Sequence, residues 1–356
     1  MMIFTIGTTA EAIKLIPLWR LMAGEDLEFN IVSLGQHPSE LRKLIDKNRL
    51  AHVFFPLDQS RVQNLESLFD AAKWFFISIF RLLKRLDKYN KSSDVVCIHG
   101  DTLSSLVGSI VAKLKRFRIV HIEAGLRSES IFQPFPEELT RRCTAKLVDF
   151  HFCPSEDQFR NLLNENVDET KICVTNGNTA LDNLISANAK TIPTDRDYGL
   201  VTLHRSELLQ NSKVLKETLF GLSKLGLSHE ILLVADHRAK LFIERNLGSA
   251  KLNMTILDKV EHDLFLELLL GAKWVITDSG GLQQECSYLG VPTLIHRKTT
   301  ESFEGLGENI QLSHFEIEKI EIFVENFKMY RIPPKVLNQS PSGIILDKLT
   351  DWGLVR

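Results

Sequence analysis

The sequence has few cysteines, and they do not occur at the spacing of a metal or redox motif. Five cysteines stand among 356 residues, at positions 97, 143, 153, 173 and 286. They form no CxxC pair, so neither a zinc site nor a dithiol redox centre is indicated. Most lie in apolar runs such as VVCIH and HFCP. We expect reduced core cysteines of a cytoplasmic protein, without a metal site or a disulfide framework.

A large excess of charge of either sign is also missing. The net charge is −2 and the isoelectric point is near 6.6. A chain with this charge has no long-range electrostatic attraction for nucleic acid or for an acidic membrane surface. An anionic ligand would have to be held by local groups, and we therefore expect a small molecule as the partner.

Long hydrophobic runs are missing as well. The most apolar stretches, at 73–80 and 264–277, are shorter than the ~20 residues that span a bilayer, and the second contains Glu267 and Lys273. The start, MMIFTIGTT, shows no basic segment before an apolar stretch and no small-residue cleavage site. The sequence therefore predicts neither a membrane span nor export.

The length and composition indicate two globular domains. At 356 residues the chain exceeds what one hydrophobic core usually organises, and 44% hydrophobic with 25% charged residues is ordinary. A segment rich in Pro, Thr and Asp, AKTIPTDRD, interrupts the periodic pattern. We interpret 1–188 as the first domain, 189–197 as a linker and 198–330 as the second domain. Residues 331–356 form a tail, and the sequence does not predict where this tail packs.

Strand and helix patterns alternate through both domains. In the first we predict strands at 3–6, 29–34, 94–99, 118–122, 149–153 and 172–175, and helices at 10–22, 40–47, 63–88, 103–115, 137–147 and 179–186. In the second we predict strands at 198–203, 230–235, 254–257, 273–277 and 292–296, and helices at 212–225, 238–246, 262–271 and 281–289. The tail adds helices near 315–328 and 340–349. Alternation of this kind predicts an α/β fold with two doubly wound parallel sheets and a ligand cleft between the domains.

One turn has the pattern of an anion site. In ITDSGGLQQECSYLG a strand ends at Ile276, Ser279, Gly280 and Gly281 form a turn, and a helix follows. Glycines allow close approach of a ligand to the backbone, and the helix start offers unpaired N–H groups and a partial positive charge. A diphosphate would fit there, although an ordinary turn capped by Ser279 has the same pattern.

Three carboxylates follow strands or open a helix in the first half: Asp101, Glu123 and Glu137. Each has a structural interpretation, since Asp101 could cap a helix, Glu123 could pair with Arg127, and Glu137 could favour a helix N-terminus. Together they suggest acid/base catalysis, because proton transfer at carbon needs one group to remove a proton and another to deliver it.

In the second half, His204 and Arg205 follow a strand and could neutralise a diphosphate. Glu285 lies one helical turn past the glycines and could bind ribose hydroxyls. His237 is interpreted as structural. Further polar residues after predicted strands or in the helices behind them are Lys14, Arg141 and Arg297.

These segments together resemble the non-hydrolysing UDP-N-acetylglucosamine 2-epimerases. The resemblance runs in order along nearly the whole chain, through GTTAEAIKLIP, GQHPSEL, HGDTLSSL, HIEAGLRS, PFPEELTRR, HFCPSEDQFRNLLNENV, VTNGNTALDNL, TLHRSE and TDSGGLQQECSYLGVPTLIHRKTTE. It implies a GT-B-like pair of Rossmann-like domains and interconversion of UDP-GlcNAc with UDP-ManNAc. UDP would be eliminated to leave 2-acetamidoglucal and then added back with inverted configuration at C2.

The resemblance also implies residue roles. Asp101, Glu123 and Glu137 would be the acid/base groups and His204 would assist at the diphosphate. The UDP-sugar would contact Lys14, Arg141, Arg205, Ser279, Gly280, Gly281, Glu285 and Arg297. No metal or redox cofactor is implied, a homodimer is typical, and in some bacterial members a second UDP-GlcNAc binds as an allosteric activator near the positions of Gln36 and His37.

The chain departs from the family pattern at three places. It has Thr9-Ala10 where Arg-Pro is usual, Ser206 in place of the second arginine of His-Arg-Arg-Glu-Asn, and Ser302-Phe303 where Arg-Pro is usual. A lost charged hydrogen bond to phosphate costs about 1.5–3 kcal/mol, or one to two powers of ten in affinity.

The departures leave alternatives open. The protein could act on another UDP-sugar, or release free sugar and UDP by adding water. It could also bind a sugar nucleotide without turnover, although clustered carboxylates have no use in a pure binder. A glycosyltransferase of the same architecture would need an acceptor groove.

Overall fold

The computed structural model describes residues 1–35, 38–57, 68–128, 136–188, 197–247, 250–300, 302, 304–335 and 339–355. The chain divides into two compact units. The first comprises Met1–Asp182 with Leu337–Arg356, and the second comprises Asn183–Val336. Of the linker predicted at 189–197, only Asp197 lies within the described residues.

The first unit alternates strands and helices as the sequence predicts. Its strands are β1 (Met2–Ile6), β2 (Phe29–Ser33), β3 (Phe54–Pro56), β4 (Val95–His99), β5 (Arg118–Ile122), β6 (Phe150–Cys153) and β7 (Ile172–Val174). Its helices are α1 (Thr9–Gly24), α2 (Pro38–Lys47), α3 (Leu68–Leu86), α4 (Leu103–Lys115), α5 (Glu137–Ala145), α6 (Glu156–Asn164) and, at the boundary of the units, α7 (Ala180–Asn188).

The seven strands form one parallel sheet in the order β3-β2-β1-β4-β5-β6-β7. Successive side chains of β1 enter different cores, because they point to opposite faces of the sheet. Phe4 packs in a core with Trp19 of α1, whereas Ile3 packs with Trp74 of α3 and Val107 of α4. Helices therefore cover both faces, which explains why β1 and β4 are buried at every position.

The second unit repeats this architecture with six strands. They are β8 (Tyr198–Thr202), β9 (Glu230–Ala235), β10 (Thr255–Asp258), β11 (Trp274–Thr277), β12 (Thr293–Ile295) and β13 (Ile310–Leu312). The helices are α8 (Ser206–Leu209), α9 (Ser212–Leu225), α10 (His237–Leu247), α11 (His262–Gly271), α12 (Gly280–Leu289) and α13 (Ile317–Asn326). The parallel sheet has the order β10-β9-β8-β11-β12-β13. The predicted fold class, two Rossmann-like doubly wound sheets of the GT-B-like kind, is confirmed.

The tail ends in helix α14 (Pro341–Asp351), which packs on α1 of the first unit. Its buried residues Ile345 and Leu349 join the core that contains Trp19. Asp182 accepts a hydrogen bond from the Ser342 backbone N–H at 2.9 Å. The tail is thus an integral part of the first unit, a placement that the sequence alone did not provide.

Four elements were not predicted, namely β3, α6, α8 and β13. The two strands have only three residues each and lie at sheet edges, and α8 has only four residues. Strand β7 is as short and also lies at an edge, yet the sequence predicts it. Three short 3-10 turns lie at Ala51–Val53, Glu169–Lys171 and Phe327–Tyr330. No helix in the described part of the chain is long and apolar enough to cross a membrane.

Candidate active site

In each sheet the direction in which successive strands are added changes once, and the candidate residues lie at the carboxyl edge near this switch point. In the first unit β1 lies beside β4, and in the second β8 lies beside β11. Turns that follow such a strand pair leave in opposite directions and open a crevice at the carboxyl edge of the sheet. The first edge carries Asp101 and Glu123, and the second carries His204 and Ser279.

Glu123, just after β5, is held by donors from distant parts of the first unit. Lys14 Nζ on α1 lies 2.8 and 2.7 Å from its two carboxylate oxygens. Asn178, after β7, donates its Nδ2 to Glu123 Oε1 over 2.7 Å. Charge-assisted bonds of this length fix the carboxylate and neutralise it. A pair between Glu123 and Arg127 does not form, because Arg127 binds Glu165 at 2.6 Å.

The backbone at Glu123 is in an uncommon conformation. Its φ is +64°, in the left-handed region that bulky side chains rarely adopt. Gly125 follows at φ +86°, where an added Cβ would lie 2.4 Å from the carbonyl oxygen of Gln158. A left-handed residue other than glycine costs on the order of 1 kcal/mol. The chain accepts this strain in the turn that carries the carboxylate, as functional turns commonly do.

Two buried histidines lie behind Glu123. His99 Nε2 is 3.3 Å from Glu123 Oε2, yet neither ring nitrogen has a hydrogen-bond partner among the described residues. Burial, reinforced by Lys14 and His121, holds the pKa of His99 well below its usual value. Burial likewise lowers the pKa of His121 to about 4, against a hydrogen bond to the Gly100 carbonyl that raises it. Both rings are therefore neutral near pH 7, and the contact of His99 with Glu123 is not an ion pair.

Asp101 is bound by a buried arginine. Its Oδ2 accepts from Arg141 Nε at 2.9 Å and from Nη2 at 2.6 Å. The same guanidinium donates to the fully buried Glu138, which also accepts from Arg142. Burial alone would lower the pKa of Arg141, but Asp101 and Glu138 raise it above its usual value. Asp101 is not the helix cap, because Thr102 caps α4.

Glu137 is the first residue of α5. Its Oε2 is buried without a hydrogen-bond partner among the described residues. Side chains four apart lie on the same face of a helix, so Glu137 stands on the side of α5 that carries Arg141 and, through it, Asp101. Of the three predicted carboxylates, Glu137 is the one for which no cation contact is found in the described part of the chain.

The buried carboxylate of Glu11 joins the turn after β1 to the turn after β4. Glu11 accepts from the backbone N–H groups of Gly7 and Thr8 at 2.9 and 2.7 Å, and from the hydroxyls of Thr102 and Ser104 at 2.9 and 3.1 Å. Burial raises its pKa, although these donors lower it. Glu11 thereby ties the turn after β1 to the turn that carries Asp101.

The edge of the second unit is organised by another buried carboxylate. Asp278 follows β11 and accepts from the backbone N–H groups of His204 and Arg205 at 2.9 and 2.8 Å. His204 Nδ1 lies 3.1 Å from Asp278 Oδ1, while the His204 side chain is 46% exposed. The imidazole is thus anchored through one nitrogen at the edge of the sheet.

The predicted glycine turn begins α12 as expected. Ser279 is the N-cap, and its hydroxyl accepts from the Leu282 backbone N–H at 3.4 Å. Gly280 and Gly281 are the first helical residues. Apart from the chain neighbours of Gly281 and the backbone of the helix, only Ser279 Oγ among the described atoms lies within 4 Å of a Cβ built on Gly281. The remaining N–H groups of this first turn have the geometry of an anion site. Glu285 follows in the second turn of α12.

The structure places the departures from the family pattern as follows. Thr9 and Ala10 open α1, and Ser206 accepts from Arg238 Nη2 at 2.8 Å. The carbonyl of buried Ser302 accepts from Gln283 Nε2 of α12 at 2.8 Å. Arg297, after β12, is also buried, with Nε 3.8 Å from Glu207. The predicted residues Gln36 and His37, together with residues 301 and 303, lie outside the described residues.

Sequence reasoning missed three residues that hold the predicted ones in place, namely Asn178, Asp278 and Glu11. Asp278 follows β11 directly and Asn178 lies four residues after β7, so their position at the carboxyl edge was a usable signal. Glu11 lies inside α1 and has no such signal. Within the described residues there is no group of three or more histidine, cysteine or acidic residues that could hold a metal ion.

A family model and a known relative with the same description both match most of the chain. A family model described as UDP-N-acetylglucosamine 2-epimerase matches residues 20–330. The UDP-N-acetylglucosamine 2-epimerase of Escherichia coli strain K12 is 30% identical over 322 residues, which cover 84% of this chain and 82% of the relative.

Solved structures agree in fold over almost the full length. A UDP-GlcNAc 2-epimerase from Neisseria meningitidis, bound to UDP-GlcNAc, is 27% identical with a TM-score of 0.83, covering 99% of this chain and 100% of that one. The enzyme from Methanocaldococcus jannaschii, in complex with UDP-GlcNAc and UDP, is 28% identical with a TM-score of 0.82 and covers 99% of both chains. The chain therefore belongs to the UDP-N-acetylglucosamine 2-epimerase family.

Proposed function

We propose that the protein interconverts UDP-GlcNAc and UDP-ManNAc by eliminating UDP and adding it back. The observation that carries this proposal is the set of three carboxylates at one edge of the first unit, in a chain whose relatives are named for this activity. Epimerisation at a carbon that bears hydrogen needs a base on one face and an acid on the other, and the three carboxylates can supply both.

The chemistry balances without a redox partner. A carboxylate removes the C2 proton as the C1–O bond to UDP breaks, and the electron pair of C2–H becomes the C1=C2 bond of 2-acetamidoglucal. In the return step a β-phosphate oxygen of UDP bonds to C1 while a proton is delivered to C2 from the opposite face. The sugar nucleotide is regenerated with inverted configuration at C2.

The contacts in the first unit favour different roles for the carboxylates. Glu123 faces the ammonium of Lys14 with both oxygens, which holds the carboxylate in place. Asp101 is likewise bound to a cation, Arg141. Glu137 Oε2 is buried and accepts no hydrogen bond from the described residues. We propose Glu123 as the base in one direction and Glu137 as the acid, with Asp101 assisting at the sugar.

The second unit offers groups that suit the leaving group. The N–H groups at the start of α12, with Ser279, Gly280 and Gly281, favour a diphosphate. His204 and Arg205 would compensate the charge that develops as UDP departs. Glu285 is proposed to accept from the ribose hydroxyls, and Arg297, buried beside Glu207, to add positive charge.

A hydrolytic outcome is the second candidate. The observation behind it is the loss of positive charge at Thr9 and Ser206, since weaker retention of UDP would let water add to the glycal instead. Incubation with UDP-GlcNAc followed by chromatography of the products separates the readings. UDP-ManNAc supports the epimerase, whereas ManNAc with equimolar UDP supports hydrolysis. Binding without any product would contradict both.

We also propose a homodimer that forms through α3. Phe69, Phe76 and Phe80 are 77%, 68% and 59% exposed and lie on one face of this helix, a large apolar surface for an isolated chain. The double substitution Phe76→Glu with Phe80→Glu should give a monomer in size-exclusion chromatography with light scattering. Phe220→Glu, at an exposed phenylalanine of α9, is the control and should leave the dimer intact.

The five free cysteines further support a cytoplasmic location, since thiols persist in a reducing compartment. UDP-ManNAc formed there would supply glycosyl transfer to a surface polysaccharide.

A further inference from the structure

Asp278 contacts the backbone and the side chain of the same histidine. It is completely buried, and its carboxylate accepts from the N–H groups of His204 and Arg205 at 2.9 and 2.8 Å. The His204 Nδ1 atom lies 3.1 Å from the other oxygen, Oδ1. These contacts join two strand ends that are neighbours in the sheet, because Thr277 of β11 pairs with Thr202 of β8.

An ordinary capping role does not account for Asp278. The N-cap of α12 is Ser279, and α8 begins after Arg205 without a side-chain cap. Two backbone donors alone would partly compensate a buried carboxylate. The imidazole adds a further contact at Oδ1, which also accepts the His204 backbone N–H at 3.2 Å, and this contact engages a side chain that is itself 46% exposed.

The contact with the imidazole favours one position for the proton of His204. A lone pair on Nδ1, 3.1 Å from a carboxylate oxygen, is repelled by that oxygen, whereas a proton on Nδ1 is attracted by it. We therefore expect the neutral ring to be the Nδ1–H tautomer. Nε2 is then the nitrogen that lies away from Asp278.

We propose that Asp278 is a positioning residue that fixes the tautomer and the direction of His204, so that Nε2 faces the diphosphate of the substrate. The inference rests on the proposed function, in which His204 assists the departure of UDP. Asp278 itself does not contact the substrate. Its effect reaches the reaction through the imidazole, which is oriented in advance and needs no rearrangement when charge develops on UDP.

The direct test is the tautomer of His204, measured by long-range nitrogen–proton NMR on the full-length protein at pH 8. The His204 resonances are assigned by their loss in His204→Gln. We expect Nδ1 to be protonated in the wild type. In Asp278→Asn the side-chain oxygen retains the two backbone donors, so the amide NH₂ turns toward the ring and Nε2 becomes the protonated nitrogen. A wild-type ring protonated on Nε2 would overturn the proposal, even if Asp278→Asn does not fold.

Kinetics supply the second test. Asp278→Asn should lower kcat by at least about 10-fold, whereas in the His204→Gln background the same substitution should have no further effect. Equal losses in both backgrounds would mean that Asp278 acts only on the fold. Asp236→Asn is the matched control, because Asp236 also follows a strand and accepts a backbone N–H, from Ala239 at 2.7 Å, but its side chain forms no hydrogen bond or ion pair with a histidine in the described structure. The tautomer does not depend on turnover, so an inactive wild type would contradict the proposed function and leave this inference testable.

Discussion

Lys14 donates to both carboxylate oxygens of Glu123, at 2.8 and 2.7 Å, although 109 residues separate the two in the chain. The contact joins the first helix of the first unit to the turn after β5. It orients a carboxylate whose backbone is already held in the left-handed region. The proposed base is therefore positioned before substrate binds.

Replacing this carboxylate should remove activity and leave the fold intact. Glu123→Gln keeps the size of the side chain but cannot accept a proton, so kcat for epimerisation should fall by about 10²-fold or more. Glu165→Gln is the matched control, since Glu165 also binds a cation, Arg127, at 2.6 Å. Steady-state kinetics of both variants decide the matter. Wild-type activity in Glu123→Gln would eliminate Glu123 as the base.

Arg141 should be essential for stability. Arg141→Met leaves Asp101 and the fully buried Glu138 without their shared partner, which should lower the free energy of unfolding by about 3–5 kcal/mol. Arg42→Met removes an exposed i,i+4 pair with Asp46 and should cost about 0.5 kcal/mol or less. Urea unfolding at pH 7.5 measures both values. Equal losses in the two variants would show that burial of the Arg141 pair has no energetic importance.

Stability should decrease as the pH falls below about 6.5. Burial lowers the pKa of His121 to about 4, of His151 to about 3 and of His296 to about 4, from 6.5. Between the folded and unfolded pKa values the unfolded state binds more protons. Each of these histidines therefore lowers the free energy of unfolding by about 1.4 kcal/mol for each unit by which the pH falls within this range, and none of them does so above pH 6.5.

Urea unfolding of wild type and His151→Gln between pH 7.5 and 5 tests this relation. Because the variant lacks one buried imidazole, its free energy of unfolding should fall by about 1.4 kcal/mol less per pH unit than that of the wild type. Replacing the exposed His52 by Gln should leave the slope of the free energy of unfolding against pH unchanged. Glu11 and Asp182 act in the opposite direction, because burial raises the pKa of both carboxyls. An identical slope in wild type and His151→Gln would contradict the account.

The tail helix should be required by the first unit. Leu349 is fully buried in the core shared by α1 and α14, so Leu349→Ala should cost about 2–5 kcal/mol. Leu227→Ala removes a side chain that is 75% exposed and should have little effect. Thermal and urea unfolding report both changes. A Leu349→Ala protein as stable as the wild type would show that α14 is dispensable.

The sequence predicts the elements of this fold well where a local signal is long enough. Helix α4 is predicted at its observed bounds, 103–115, because apolar residues recur at helical spacing, although its cap is Thr102 and not Asp101. Strands β3 and β13 have three residues each and show no pattern. The docking of α14 depends on a surface formed by distant residues and has no local signal.

In the candidate site, too, some features can be predicted from the sequence and others cannot. Residue types and their position after strands predict Asp101, Glu123, His204 and Ser279 as candidates, because parallel sheets collect such residues at one edge. The partners of these groups are not predictable in this way. Asp278 and His204 meet only because β11 lies beside β8, and strand order is a property of the whole unit.

The most direct test of the proposed function is to incubate the purified protein with UDP-GlcNAc in heavy water and follow the sugar by NMR. Elimination and re-addition predict that deuterium replaces the C2 proton as UDP-ManNAc appears, because the proton removed by the base exchanges with solvent before one is returned. Retention of the C2 proton with no new sugar nucleotide, under conditions in which UDP-GlcNAc binds, would contradict the account.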